Sequence, residues 1–303
     1  MAPRLLLHIG SEKTGTTAWQ AWLQQQRDVL DRQGFAVPTT LGPTNHRRLP
    51  TSCFDLDRLD DLVIRSGLQE ASPALRQQTY QDWQGAFAAE VKTRPTHSWL
   101  VSSEHCSSRL TRFSELGRLQ TFLEPLFSRI EILLVIREPL RAAISAWSTL
   151  VRNGGYPLEQ LPPPDHPLLA DICDHRALVQ RWSTRFAHLT LCTYETDVVA
   201  MLVQASGIPI RSGTSKTPSR HNRSMSHQAI IEIARLNRSM PVYVGSQLNP
   251  ERETRIAEIV DIHQGEPAFV PSLKQQDDFK VHFADSTSWI HQTFFPDRLM
   301  LFS

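Results

Sequence analysis

Three short segments of this chain carry residue types suited to anion binding and proton transfer. The first is Gly10 to Thr17, GSEKTGTT, which follows the apolar run Leu5 to Ile9 and precedes an amphipathic stretch. A glycine-containing loop at such a junction aims successive backbone N–H groups, together with the positive end of the helix dipole, at a phosphate-like anion. Gly10 and Gly15 can take positive φ and let the ligand approach the backbone. Gly10, four intervening residues and Gly15 match the start of G-x-x-x-x-G-K-[ST], and Thr17 fills its last place. Thr16, however, stands where the lysine belongs, and the lysine lies inside the loop as Lys13. In the nucleotide triphosphatase loop the lysine serves the β/γ-phosphates and the hydroxyl serves Mg²⁺, so the displacement argues against NTP hydrolysis. It suits a ligand with a single 5′-phosphate carrying a transferable group.

The second segment is Ile130 to Ser145. An apolar run ends in Arg137, and Pro139 opens a helical pattern. Arg137 then sits at a carboxyl strand end, the edge where open α/β sheets bind ligands. Its planar fork and the hydroxyl of Ser145, eight residues on, could share one phosphate. Residues 211 to 231 add Arg211, Lys216, Arg220 and Arg223 without an acidic residue.

The third is Val101-Ser102-Ser103-Glu104-His105, which delivers a carboxylate and an imidazole to the same edge as candidate general bases. Ser102 and Ser103 lack a G-x-S-x-G elbow. His8, inside an apolar run, reads as a satisfied core residue, and Trp19 packs in helical register with Trp22 and Leu23.

Positioning these residues calls for an alternation of strands and helices. Strands are expected at Leu5 to Ile9, Trp99 to Ser103, Ile130 to Ile136 and Leu189 to Tyr194, each apolar enough to be covered on both faces. Helices are expected at Thr17 to Arg32, Arg112 to Phe127, Pro139 to Arg152 and Thr196 to Ser206, the third marked by Leu140, Ile144, Trp147 and Val151 and ended by Asn153-Gly154-Gly155. The pattern predicts a three-layer α/β fold with a central parallel sheet and a phosphate-binding loop after the first strand. Residues 39 to 97 read as a substrate-shaping insertion with helices around Leu56 to Ser66 and Ala74 to Val91, and GGYPLEQLPPPDHP at 154 to 167 as a rigid irregular loop.

The chain has 303 residues, enough to bury a core without staples, and its 32 Lys+Arg balance 31 Asp+Glu. That balance excludes a whole-surface polyanion binder, hence nucleic acid, so positive charge must be local. Cys53, Cys106, Cys173 and Cys192 form no C-x-x-C pair and read as reduced, mostly buried thiols. No stretch approaches the ~20 apolar residues of a membrane span, and a cytoplasmic location is expected.

Lys13-Thr14-Gly15-Thr16-Thr17 resembles the 5′-phosphosulfate loop of the sulfotransferases, which use 3′-phosphoadenosine 5′-phosphosulfate (PAPS) as sulfuryl donor. Arg137-Glu138-Pro139, five residues and then Ser145 resembles the 3′-phosphate motif of the same family, and SRHNRS, with Arg223, more loosely resembles a late loop that covers the nucleotide in bacterial members. The resemblance spans residues 5 to 20, 99 to 105 and 130 to 147, and loosely 211 to 240. It implies a single sulfotransferase domain over 1 to 303 and in-line transfer to a hydroxyl without a metal. It further implies Lys13 at the leaving phosphate oxygen and a base from the strand end, Glu104 first and His105 second. By analogy with carbohydrate-directed members, the acceptor expected is a sugar, glycolipid or polysaccharide hydroxyl. The alternatives are a nucleotide or sugar kinase on the same loop and a non-catalytic nucleotide-binding module.

Overall fold

In the computed structural model, which describes residues 3–11, 14–195, 197–209 and 225–302, alternation of side chains along the strands dictates the layers. The strands are β1 (Arg4–His8), β2 (Phe35–Ala36), β3 (Ser98–Ser102), β4 (Arg129–Ile136) and β5 (His188–Thr193). All pair in parallel, in the order β2-β3-β1-β4-β5. Leu5, Leu7, Trp99, Val101, Ile132 and Leu134 point to one face, where Phe87, Leu116, Leu119 and Trp182 cover them. Leu6, Leu100, Leu133 and Val135 point to the other, against Trp19, Trp22, Leu23, Val199 and Leu202. Burial on both faces explains why the strand sequences are near-continuously apolar. A third cluster packs the helix Pro139–Arg152 against Pro167–Cys173, His227–Leu236 and Pro250–Ile262.

Each of the four expected strands lies within a residue or two of its expected bounds, and the helix Pro139–Arg152 has the bounds expected. β2 was not expected, since two residues carry no periodic signal. The long first helix is two, Thr16–Gln25 and Arg27–Arg32, with Gln26 between them at ψ 6°. Between Leu23 and Leu30, both buried, only Val29 is apolar, so little packing holds one straight axis through the break. The helices expected around 56–66 and 74–91 are Asp61–Arg65 and Pro73–Lys92, and 154–166 holds no helix or strand. The four thiols are free, three of them buried, and burial pushes Cys53 and Cys173 up to about 12. No described helix is long and apolar enough to cross a membrane.

The order places β1 between β3 and β4. His8 pairs with Ser102 on one side and Leu133 on the other. The chain fills β2 and β3 on one side of β1 and then crosses from β3 to β4 on the other, so the strand order switches at β1, the kind of point beyond whose carboxyl end open α/β sheets bind ligands.

Candidate functional site

The loop after β1 is held against β4. Ile9 and Ser11 donate their amides to the carbonyls of Leu133 and Val135, and Ser11 Oγ donates to Val135 O at 2.8 Å. Thr14, fully buried, donates its hydroxyl to Ser11 O at 2.7 Å, so this threonine clasps the loop. Gly10 and Gly15 both have positive φ, 34° and 78°. At Gly15 space as well as conformation demands glycine, because a Cβ would lie 2.5 Å from Val198 Cγ1.

Gly15 is the N-cap of Thr16–Gln25, with no side-chain cap and no acid in the first turn. The positive end of this dipole is therefore uncompensated by its own helix. Thr16 Oγ1 is buried and unpartnered, and Thr17 is exposed. An orphaned buried hydroxyl beside free helix amides fits an anionic oxygen as its missing partner. Lys13 and Arg223, with the rest of 210–224, lie outside the described residues.

β3 brings the two candidate bases. Glu104 stands at the N-cap of the short helix His105–Arg109 but does not cap it. Its Oε2 accepts from Gln20 Nε2 at 2.8 Å. Ser107 Oγ donates to the Gly10 and Glu104 carbonyls, tying β3's end to the loop. His105 Nε2 lies 3.5 Å from Asn45 Nδ2, at the limit of a hydrogen bond, and its Nδ1 is buried without a partner.

Behind Glu104, Ser102 Oγ and His8 Nδ1 are 2.9 Å apart, and the Ser102 amide donates to His46 Nδ1 at 2.9 Å. Burial lowers His8 to about 3 and His46 to about 4, so both rings are neutral. His8 corrects the sequence expectation of a satisfied core residue: it is core, but its Nε2 has no hydrogen-bond partner.

β4 brings Arg137. Glu138 caps the following helix through the Leu140 and Arg141 amides, and Glu131 pairs with Arg4 and Arg129, so neither forms an ion pair with Arg137, although the charge of Glu138 favours its charged form. The half-buried guanidinium lies 5.1 Å from the Tyr194 ring centroid, and its Nε has no partner. Burial lowers its pKa below the ordinary arginine value. It faces a cleft of about 190 Å³ lined also by Arg141, Tyr194 and Arg298 and by two carboxylates, Glu138 and Glu195. Arg298 arrives from the C-terminal stretch and donates to Thr193 Oγ1 at 2.7 Å. Ser145 is half-buried on the helix after Arg137, and its hydroxyl pairs with no described residue.

In the strand order the loop after β1 thus lies between Glu104, just beyond the end of β3, and Arg137, just beyond the end of β4, while the cleft that Arg137 faces is lined by neither the loop nor Glu104. Trp19 stacks on Trp22 at 5.1 Å, a packing role. Sequence reasoning missed Gln20, His46 and Arg298. For Gln20 a signal existed: an amide among Trp19, Trp22 and Leu23 on a buried helix face demands a polar partner. Among the described residues, no group of three or more His, Cys, Asp or Glu gathers to hold a metal.

No family model and no curated protein matches the chain. Among solved structures it is similar to a sulfotransferase from Alicyclobacillus acidocaldarius, at 13% identity over 97% of this chain and 96% of that one, with a TM-score of 0.49. It is also similar to the sulfotransferase domain of the Synechococcus PCC 7002 olefin synthase, at 14% identity over 89% and 97%, TM-score 0.39. The sulfotransferase domain from the curacin biosynthetic pathway aligns at 13% identity over 89% and 99%, TM-score 0.39. Likeness at this level assigns no activity and no site residue.

Proposed function

We propose that this chain is a PAPS-dependent sulfotransferase that places a sulfuryl group on a hydroxyl, with a sugar or glycolipid as acceptor. The observation that carries the reading is the uncapped, acid-free helix start after β1, flanked by a carboxylate at the end of β3 and an unpaired arginine at the end of β4. An anion receptor alone would fit many ligands. A proton acceptor on one side of it and a second cation on the other fit group transfer from a doubly phosphorylated donor.

The donor would be held by the amides of Gly15 to Thr17, the Thr16 hydroxyl and Lys13 at its 5′ end, and by Arg137, Ser145 and Arg223 at its 3′-phosphate. When bound, it supplies a sulfuryl group activated by its bond to phosphate. The chain's residues do the rest. Glu104 Oε1, which has no described partner, takes the acceptor hydroxyl proton as the new S–O bond forms. Lys13 and the helix amides meet the electron pair left on the phosphate oxygen as the old S–O bond breaks. His105, one residue on, is the second candidate for the proton.

Calorimetric titration with 3′-phosphoadenosine 5′-phosphate and with ATP-Mg²⁺ tests the class. Tight binding of the bisphosphate is expected, and tight ATP-Mg²⁺ binding with none of the bisphosphate would favour a kinase and end this reading. A sulfate-transfer screen across sugars, glycolipids and small phenols then identifies the acceptor. Lys13→Ala should bind donor yet lose turnover, and normal turnover in that variant removes Lys13 from the mechanism.

A further inference from the structure

Gln20 lies four residues beyond Thr16 on the helix that opens with the anion loop, and it is 5% exposed. Its amide nitrogen faces only acceptors from the end of β3: Glu104 Oε2 at 2.8 Å, and Ser102 O and Ser102 Oγ each at 3.4 Å. Ser102 Oγ is in turn 2.9 Å from His8 Nδ1 on β1. One helix therefore carries both the loop's free amides and the group that fixes the carboxylate. A freely rotating glutamate side chain would sample many rotamers, whereas a bond from a buried amide selects one.

We propose that Gln20 is a positioning residue for Glu104, pinning one carboxylate oxygen so that Oε1 remains to receive the acceptor's proton. This rests on the reading of Glu104 as general base. The arrangement couples the base to the donor loop mechanically, since any shift of the helix start moves Gln20, and Gln20 moves the carboxylate. The contact is charge-assisted and only part-buried, so its loss leaves Glu104 solvated but no longer oriented, a defect in kcat with donor binding intact.

The test is a double-mutant cycle on Gln20→Met and Glu104→Gln, read as release of 3′-phosphoadenosine 5′-phosphate from PAPS with the acceptor class positive in the transfer screen. Gln20→Met, close in volume, should lower kcat about tenfold or more. The KM for PAPS and the Kd of the bisphosphate should stay within about twofold. In the Glu104→Gln background the same substitution should add almost nothing, because both act through one carboxylate. Gln20→Glu, equal in size but unable to donate when ionised, should lose at least as much, and it serves if the methionine variant fails to fold. Wild-type kcat in a folded Gln20 variant, or a loss that multiplies in full with that of Glu104→Gln, overturns the proposal. Undiminished turnover in Glu104→Gln alone instead removes the base reading, and the role of Gln20 with it.

Discussion

The ends of β3 and β4 flank the same loop, yet their polar groups are treated in opposite ways. At the end of β3 the carboxylate and its neighbours are paired, Ser102 with His8 and His46, Glu104 with Gln20, Ser107 with two carbonyls, while Ser103 Oγ and His105 Nδ1 stay buried without a partner. At the end of β4 the half-buried Arg137 has an aromatic face and no ion-pair or hydrogen-bond partner among the described residues, although Glu138 and Glu195 line the same cleft. A carboxylate that must take a proton along one direction gains from being oriented in advance. A cation meant for a ligand's phosphate gains from having no protein partner to displace. The first side has the character of chemistry, the second that of binding.

The contrast is broken most forcefully at Glu104. Glu104→Gln should lower kcat by about 10²–10⁴, the range for loss of a general base, while leaving bisphosphate affinity within about twofold. If calorimetry shows instead that affinity collapses while turnover per bound donor persists, the two sides have been assigned the wrong way round.

The loop on which both sides converge is tested next. Gly15→Ala forces a Cβ to 2.5 Å from Val198 Cγ1 at φ 78°. Left-handed strain of about 1–2 kcal/mol and overpacking of about 1–3 kcal/mol should together lower unfolding stability by roughly 2–5 kcal/mol. Denaturant melts would show it, and Val198→Ala in the same chain should recover part of the loss.

Arg137→Ala sharpens the binding side. Removing a charge-assisted contact should weaken bisphosphate binding about 10–100-fold. Stability should hold or rise, because a partly desolvated cation without an anionic partner is itself unfavourable. Lysine should restore the affinity only in part, lacking the planar fork. A marked drop in melting temperature for Arg137→Ala would show that the arginine holds the fold together.

How much of this could be read in the sequence follows from distance along the chain. The loop and the β4-to-helix junction were legible because their signals are local: Gly15 two residues after Lys13, and Pro139 at a first helical turn after an apolar run. The alternation of apolar runs gave four strands, whereas Phe35–Ala36 was too short to register. The pairing at the end of β3 was not legible. Gln20 meets Glu104 across 84 positions, His46 meets Ser102 across 56, and Arg298 meets Thr193 across 105. Such contacts exist only once β1 and β3 are in register or the C-terminal stretch has docked, and no periodicity encodes them.

The same contrast should appear as a pH dependence of stability located on the β3 side, where His8 and His46 are fully buried and neutral. Burial lowers His46 from an ordinary 6.5 to about 4, with Arg27 adding repulsion, so the folded chain refuses a proton that the unfolded chain accepts. Between those two values the unfolded state binds more protons, and stability must fall as pH falls. The full contribution is present above pH 6.5, and each such histidine adds a slope of up to about 1.4 kcal/mol per pH unit. His175, lowered to about 4 and not part of the β3 pairings, contributes likewise and remains in every variant as an internal reference. His46→Asn is the informative change: asparagine tolerates the positive φ of 43° at this position and can still offer an acceptor to the Ser102 amide. Unfolding free energies measured from pH 7.5 to 4.5 should then show a slope shallower by about one proton than in the unaltered chain. Parallel slopes would mean that His46 takes up its proton in the folded chain over the same pH range as in the unfolded one, and that the end of β3 is less dry than its hydrogen bonds indicate.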